Sequence, residues 1–139
     1  MSNYVDPTKE QFGRFKDLTS DAPIHMLNLV RVREQAVYPD GRLCSGREAY
    51  QAYGRESSPI FTRVGGRQFW IGNFELTLIG PQDERWDFVF IAEYPNGAAF
   101  VEMIRDPAYR EAVKHRQAAV QDSRLIRLKP GVPGKGFGE

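Results

Sequence analysis

Apolar side chains along the chain switch between helical spacing and the alternating or continuous patterns of strands. Recurrence every three to four positions predicts two long helices, over residues 47–64 and 106–120. Strands are predicted over four segments rich in β-branched, aromatic or leucine side chains: 24–33, 67–79, 86–94 and 122–128. The order of elements is therefore strand–helix–strand–strand–helix–strand.

This order indicates an α+β protein with the ferredoxin-like βαββαβ arrangement, in which one face of a four-stranded antiparallel sheet carries the helices. The second and third strands are apolar at both alternating positions, so the face without helices also needs a cover. The simplest cover is an identical subunit related by a two-fold axis. We therefore expect a homodimer that packs sheet against sheet.

Local signals divide the chain into a helical N-terminal extension (1–22), the α+β domain (23–128) and a flexible C-terminal tail rich in glycine and proline (129–139). Thr8 is the expected N-cap of a short first helix, and Asp106 with Pro107 is the expected start of the last one. Pro59 predicts a kink or break in the first long helix near residues 57–58. Gly72 predicts a bulge in the second strand.

Composition limits the classes of partner and compartment. The formal net charge of the 139 residues is +1, so we expect no nucleic-acid partner. One cysteine excludes an intrachain disulfide and a cysteine-based zinc site. The charged N-terminus is unlike a signal peptide, and no apolar run approaches the ~20 residues of a membrane helix. The expectation is a cytoplasmic protein without a membrane partner.

Arg116 is the strongest candidate for a functional group. It shares the apolar face of the second long helix with Tyr109, Val113 and Val120. A buried guanidinium needs a partner or a bound anion, because an unpaired buried charge is very costly. Arg116 is therefore either an anion clamp for a carboxylate, or a structural residue that reaches solvent or pairs with an acid such as Glu93 or Asp106.

Five further side chains complete the candidate ligand-binding set. Asn28 is a polar amide among apolar neighbours, and Tyr50 and Tyr53 form a stripe of rings with polar tips. Trp86 is expected at the same pocket, although sheet packing also explains it. His25 is a possible base or a hydrogen-bonded strand residue, whereas His115 is expected to be exposed. The two histidines lack metal-ligand spacing, so no metal and no cofactor is expected.

Several short motifs in order resemble the family known as domain of unknown function 1330. They are Ala49-Tyr50-Gln51-Ala52-Tyr53, Gly65-Gly66-Arg67, Ile79-Gly80 before Trp86, Ile91-Ala92-Glu93-Tyr94-Pro95, and Asp106-Pro107-Ala108-Tyr109-Arg110 with Arg116 following. The resemblance spans about residues 23–128 and implies the dimeric α/β-barrel superfamily. It implies no single reaction, since that superfamily includes cofactor-free monooxygenases, haem-dependent enzymes and small isomerases or lyases. In this chain the first strand-to-helix loop, residues 34–46, is longer than is usual for the family.

The pattern as a whole favours a small-molecule-binding protein or a cofactor-independent enzyme, with a pocket between the helices and the sheet. A carboxylate-bearing or aromatic ligand would suit Arg116 and the tyrosines. Two alternatives stay open at this point. One is a dimeric ligand sensor without catalysis, and the other is a structural dimer without any catalytic site.

Overall fold

The computed structural model describes residues 3–134 and 136–138, and the predictions made for residues 1, 2, 135 and 139 lie outside this part of the chain. The elements in order are α1 (Lys9–Asp17), β1 (Ile24–Val32), α2 (Gly46–Arg63), β2 (Arg67–Gly72), β3 (Phe88–Tyr94), α3 (Gly97–Arg105), α4 (Pro107–Ala119) and β4 (Val120–Leu128). Within the described ranges, no helix combines the length and apolar character that a membrane crossing requires.

The four strands form one antiparallel sheet in the order β2-β3-β1-β4. Leu27 in the central strand β1 lies opposite Ile91 of β3 on one side and Ile126 of β4 on the other. Facing residues of an antiparallel pair project to the same side of the sheet, so these three side chains share a face. The topology is the ferredoxin-like α+β fold that the order of elements predicted.

Polar caps fix the starts of the helices. The Thr8 side chain accepts a hydrogen bond from the backbone N–H of Gln11, and the Asp106 carboxylate accepts one from Ala108 at 2.7 Å, so both predicted N-caps are confirmed. Pro59 lies inside α2, but the helix continues through it to Arg63. The predicted break is therefore wrong.

The second and third strands are shorter than the pattern predicted. Gly72, the last residue of β2, pairs with Val89, which leaves almost no β3 for the following residues to pair with. A bend at Asp87 precedes β3, and the Asp87 carboxylate accepts a hydrogen bond from the backbone N–H of Val32 at 2.8 Å. The irregularity in β2 lies between Gln68 and Trp70, so the predicted bulge at Gly72 is misplaced.

Two apolar clusters fill the space between the sheet and the helices. The first is built around Met26 and Tyr109, and the second is built around Val30 and Tyr50. Tyr53 packs against both clusters from α2. The middle of this layer is therefore the place where polar tips on buried rings come together.

The N-terminal helix α1 packs against α3 and β4. The Phe15 ring of α1 contacts Phe100 of α3 at a centroid distance of 4.9 Å. Arg127 of β4 donates to the backbone carbonyls of Phe15 at 3.2 Å and Leu18 at 3.3 Å. Because the Arg127 guanidinium joins the C-terminal end of α1 to β4, α1 covers the end of the helix layer near β4.

Candidate functional site

Arg116 lies in the last turn of α4, under the N-terminal segment. Its guanidinium donates to the backbone carbonyl of Val5 and, at 3.2 Å, to the hydroxyl of Ser123 on β4. The Ser123 hydroxyl donates in turn to the carbonyl of Tyr4 at 2.7 Å. These acceptors are neutral, so they do not compensate the charge of the half-buried guanidinium.

The carboxylates that sequence analysis offered as partners of Arg116 are engaged elsewhere. Glu93 pairs with His25 at 2.8 Å and with Arg67 at 2.7 Å. Asp106 caps α4 and pairs with a guanidinium of α2 at 2.8 Å. Among the residues that the structure describes, no acid lies within ion-pair distance of Arg116.

Three tyrosines lie beside Arg116. The hydroxyls of Tyr53 and Tyr109 are hydrogen-bonded at 2.8 Å, and the Tyr50 ring stacks on Phe88 with centroids 4.7 Å apart. Burial raises the pKa of all three phenols above 10, and the positive charge of Arg116 opposes that rise at each one. We call the packed group of Tyr50, Tyr53, Tyr109 and Arg116 the tyrosine–arginine cluster. At neutral pH it presents three protonated phenols and one cation.

Asn28 lies on the helix-covered face of β1, between Met26 and Val30 of the two apolar clusters and opposite Phe90 of β3. Its side-chain amide donates to the backbone carbonyl of Met26 at 3.0 Å. Asn28 therefore lies in the same layer as the tyrosine–arginine cluster, and one donor of its amide is already used by the strand.

Trp86 lies elsewhere, contrary to its expected place in the pocket. Its buried ring lies under the guanidinium groups of Arg31 and Arg124, at 6.0 and 5.5 Å from the centroid. Both arginines occupy strand positions that face away from the helices. The reason is that β3 begins only at Phe88, so strand alternation does not extend back to Trp86.

His25 also lies on the sheet face away from the helices. Its Nε2 is hydrogen-bonded to the Glu93 carboxylate at 2.8 Å, and its ring lies 4.3 Å from that of Phe69. Arg67 completes the group from β2, and hydrogen bonds from Arg67 and then His25 lower the pKa of Glu93. His25 is thus a hydrogen-bonded strand residue on the opposite face of the sheet from the tyrosine–arginine cluster.

The prediction that His115 is exposed is wrong. Its Nε2 lies 2.8 Å from the Glu56 carboxylate of α2, and its Nδ1 lies 2.6 Å from the Tyr38 hydroxyl. This chain of three side chains ties the loop after β1 to α2 and α4. The described part of the chain contains no group of three or more histidine, cysteine or acidic side chains arranged to hold a metal ion.

Sequence reasoning missed three contributors to the surroundings of Arg116. Tyr109 was recognised as a core residue, although its spacing from Arg116 on one helix face was the signal for a shared site. The Val5 carbonyl comes from a segment far from α4 in the chain, and Ser123 comes from the strand that follows α4; no local pattern in the sequence marks either of them.

Comparison with known proteins agrees with the fold and adds a family. The RPA0582 protein of unknown function from Rhodopseudomonas palustris is 67% identical, with a TM-score of 0.92 over 95% of this chain and 100% of that chain. A NIPSNAP-like protein of Burkholderia xenovorans is 20% identical, with a TM-score of 0.50 over 84% of this chain and 92% of that chain.

A protein of Bacteroides thetaiotaomicron assigned to the antibiotic biosynthesis monooxygenases is 20% identical, with a TM-score of 0.51 over 84% of this chain and 96% of that chain. At such identity the likeness concerns the fold alone. No curated protein matches the chain. The model of the family described as domain of unknown function DUF1330 matches residues 44–128, and the chain belongs to that family.

Proposed function

We propose that this protein binds a small molecule with an acidic group at the tyrosine–arginine cluster, between α2, α4 and the sheet. The observation that carries the proposal is the state of Arg116. Its hydrogen-bond partners are the Val5 carbonyl and the Ser123 hydroxyl, and no described carboxylate neutralises it. A guanidinium so placed offers charge-assisted, forked donation to a carboxylate or enolate oxygen.

The neighbours of Arg116 narrow the ligand to a planar or aromatic acid. The Tyr50 phenol, and whichever of Tyr53 and Tyr109 accepts within their pair, keep an O–H that can donate to a second oxygen, because burial holds these pKa values high. The stacked rings of Tyr50 and Phe88 form an apolar wall of the type that lines most small-molecule sites. This chemistry suits a cofactor-independent enzyme or a ligand sensor, which differ in whether the bound molecule is turned over.

A structural role for Arg116 is supported by the same hydrogen bonds. By donating to Val5 and Ser123, Arg116 ties the N-terminal segment to β4. If that were its entire role, removing the guanidinium would loosen the segment without any effect on a ligand. The two roles are therefore separable by binding measurements.

The experiment uses salicylate, an aromatic carboxylate, titrated into the full chain and followed by amide chemical shifts. We expect amide chemical-shift changes at the tyrosine–arginine cluster. Arg116→Gln should bind salicylate at least about tenfold more weakly, since a charge-assisted hydrogen bond contributes about 1.5–3 kcal/mol. Arg110→Gln removes the same charge from an exposed position on the same helix and is the matched control. Unchanged affinity in Arg116→Gln would reject the clamp.

The proposal includes a homodimer formed through the sheet face without helices. Phe69, Trp70, Ile126 and Leu128 expose 48%, 50%, 42% and 40% of their surfaces, and Ile126 and Leu128 project to that face from β4. Contiguous apolar exposure of this kind is typical of an interaction site. A native mass of twice 15.9 kDa is expected, and Ile126→Lys should return it to the mass of one chain. A wild-type monomer would contradict the dimer.

A further inference from the structure

The connection between β2 and β3, residues 73–87, runs outside the sheet and carries apolar side chains in its first half. Leu76, Leu78 and Ile79 expose 73%, 85% and 93% of their surfaces. A single exposed apolar residue is ordinary on a protein surface, but three large ones within four positions form a patch. We call residues 73–80 the β2–β3 arm.

Hydrogen bonds hold the β2–β3 arm in a defined shape. The Thr77 hydroxyl donates to the backbone carbonyl of Glu84 at 2.8 Å, which ties the arm to the returning chain. Between these residues Gly80 has a φ of +146°, a conformation that side-chain-bearing residues rarely adopt. Leu78 and Ile79 are therefore held in solvent by the backbone of an ordered turn.

The arm belongs to the side of the sheet that carries no helices. Arg31 lies four positions after Leu27 on β1, so it projects to that face, and it donates to the backbone carbonyl of Asp83 at 3.3 Å. At the other end of the connection, a Cβ atom on Gly72 would lie 2.5 Å from the Trp70 ring. The arm is thus continuous with the exposed apolar side chains of this sheet face.

We propose that the β2–β3 arm packs against a second copy of this chain, so that the homodimer interface extends from the sheet face without helices onto the arm. This inference rests on the dimer of the proposed function and names a further part of its surface. In a two-fold dimer the same patch serves both copies, so each arm contributes to the interface.

The area that a dimer needs supports a second copy as the occupant. A standard interface buries about 800 Å² on each partner. Taking roughly 200 Å² for a large side chain, the exposed apolar residues of the sheet face offer on the order of 400 Å², and those of the arm on the order of 500 Å² more. The former are between 40% and 50% exposed, and they are Phe69, Trp70, Ile126 and Leu128. With the arm, the apolar area reaches the size that a stable dimer buries.

The charges around the arm disfavour a lipid surface. The connection carries three carboxylates and one guanidinium, those of Glu75, Asp83, Glu84 and Arg85. Segments that bind anionic membranes are rich in lysine and arginine, because acidic groups are repelled by the lipid headgroups. An acidic arm with exposed leucine and isoleucine is therefore better suited to a protein surface.

Sedimentation equilibrium of the full chain tests the arm contact through the dimer dissociation constant. The double variant Leu78→Ser with Ile79→Ser should raise this constant at least about tenfold, since apolar area is lost from both copies. Leu43→Ser is the matched control. Leu43 is 81% exposed, but its loop is hydrogen-bonded to α4 on the helix-covered side through Val37. Leu78→Met with Ile79→Met keeps the apolar area and should dimerise as the wild type does.

The outcomes separate the arm contact from the sheet-face dimer. A wild-type dimer whose dissociation constant is unchanged in the double serine variant overturns the arm contact and leaves the sheet-face dimer intact. Equal weakening by Leu43→Ser also overturns it, and a wild-type monomer overturns both contacts. If the double serine variant dissociates while Ile126→Lys stays dimeric, the arm contact is supported and the sheet-face contact is contradicted.

Discussion

The two faces of the sheet are made from the same strands but provide different environments. On β1, Met26 and Val30 face the helices and are buried, whereas Leu27 and Leu29 face away and are only half-buried. All four side chains are apolar, so hydrophobicity does not explain the difference. It arises because α2, α3 and α4 lie on one face, and it shows that the second face is apolar without being covered by its own chain.

The polar groups on the two faces differ in the same sense. The helix-covered face holds neutral hydroxyls, with Tyr53 and Tyr109 bonded to each other. The open face holds charged groups, with Glu93 bonded to both His25 and Arg67. Charges are tolerated where water reaches them, while buried phenols are paired as neutral groups. Arg116 and Arg127 are both cations on the covered face that donate to neutral acceptors, and Arg116 is the candidate for ligand binding because its charge acts on the three tyrosines.

The largest expected effect compares neighbouring residues that project to opposite faces. Met26→Ala should lower the free energy of unfolding by about 2–5 kcal/mol at any protein concentration, because it leaves a cavity in the core. Leu27→Ala should lower the free energy of unfolding by less than Met26→Ala does in dilute samples. The loss should be larger in concentrated samples, where a dimer would cover Leu27. Denaturant unfolding at two concentrations measures both. Equal losses at every concentration would contradict the contrast between the faces.

A smaller effect is expected from the hydroxyl pair on the covered face. Tyr53→Phe should lower the free energy of unfolding by about 1–3 kcal/mol, because the Tyr109 hydroxyl loses its partner while it stays buried. Tyr50→Phe is the matched control, since within the described residues its hydroxyl makes no hydrogen bond. The free energies of unfolding are measured by chemical denaturation. Similar losses in the two variants would show that burial of the ring, and not the hydrogen bond between the hydroxyls, determines the effect.

The smallest effect concerns the charged group on the open face. The Arg67 and His25 hydrogen bonds hold the pKa of Glu93 below 4.5, so this carboxylate stabilises the folded state above pH 4.5. The contribution is lost as the pH falls through the lowered pKa. Thermal unfolding should therefore show Glu93→Gln less stable than the wild type at pH 7 and equal to it in strong acid. A difference in stability between Glu93→Gln and the wild type that grows as the pH falls would contradict this prediction.

The order of elements was predictable because each depends on local signals. Helical spacing and the caps at Thr8 and Asp106 determined where helices lie, and apolar runs located the strands. The length of β2 was not predictable. Leu76, Leu78 and Ile79 continue the apolar pattern, yet they are largely exposed because β3 offers them no partner. Pairing is a property of two strands, and one strand's pattern does not contain it.

The candidate site was predictable only in part, for a similar reason. Tyr50, Tyr53 and Arg116 came from helix faces, and the structure brings them together in one layer. His25 and Trp86 did not join them, because their positions depend on strand boundaries and on which face the helices cover. No periodic pattern signals the close contact between Gly46 and the Arg33 backbone either.

The irregular register between Gln68 and Trp70 has a consequence for how this chain avoids aggregation. β2 is an edge strand, and a regular edge with exposed apolar side chains can template open-ended addition of further strands. A bulge disrupts the even spacing of free N–H and C=O groups, and β2 is short and begins with the charged Arg67. The chain can therefore present Phe69, Trp70 and Ile71 near its edge while discouraging fibril-like growth.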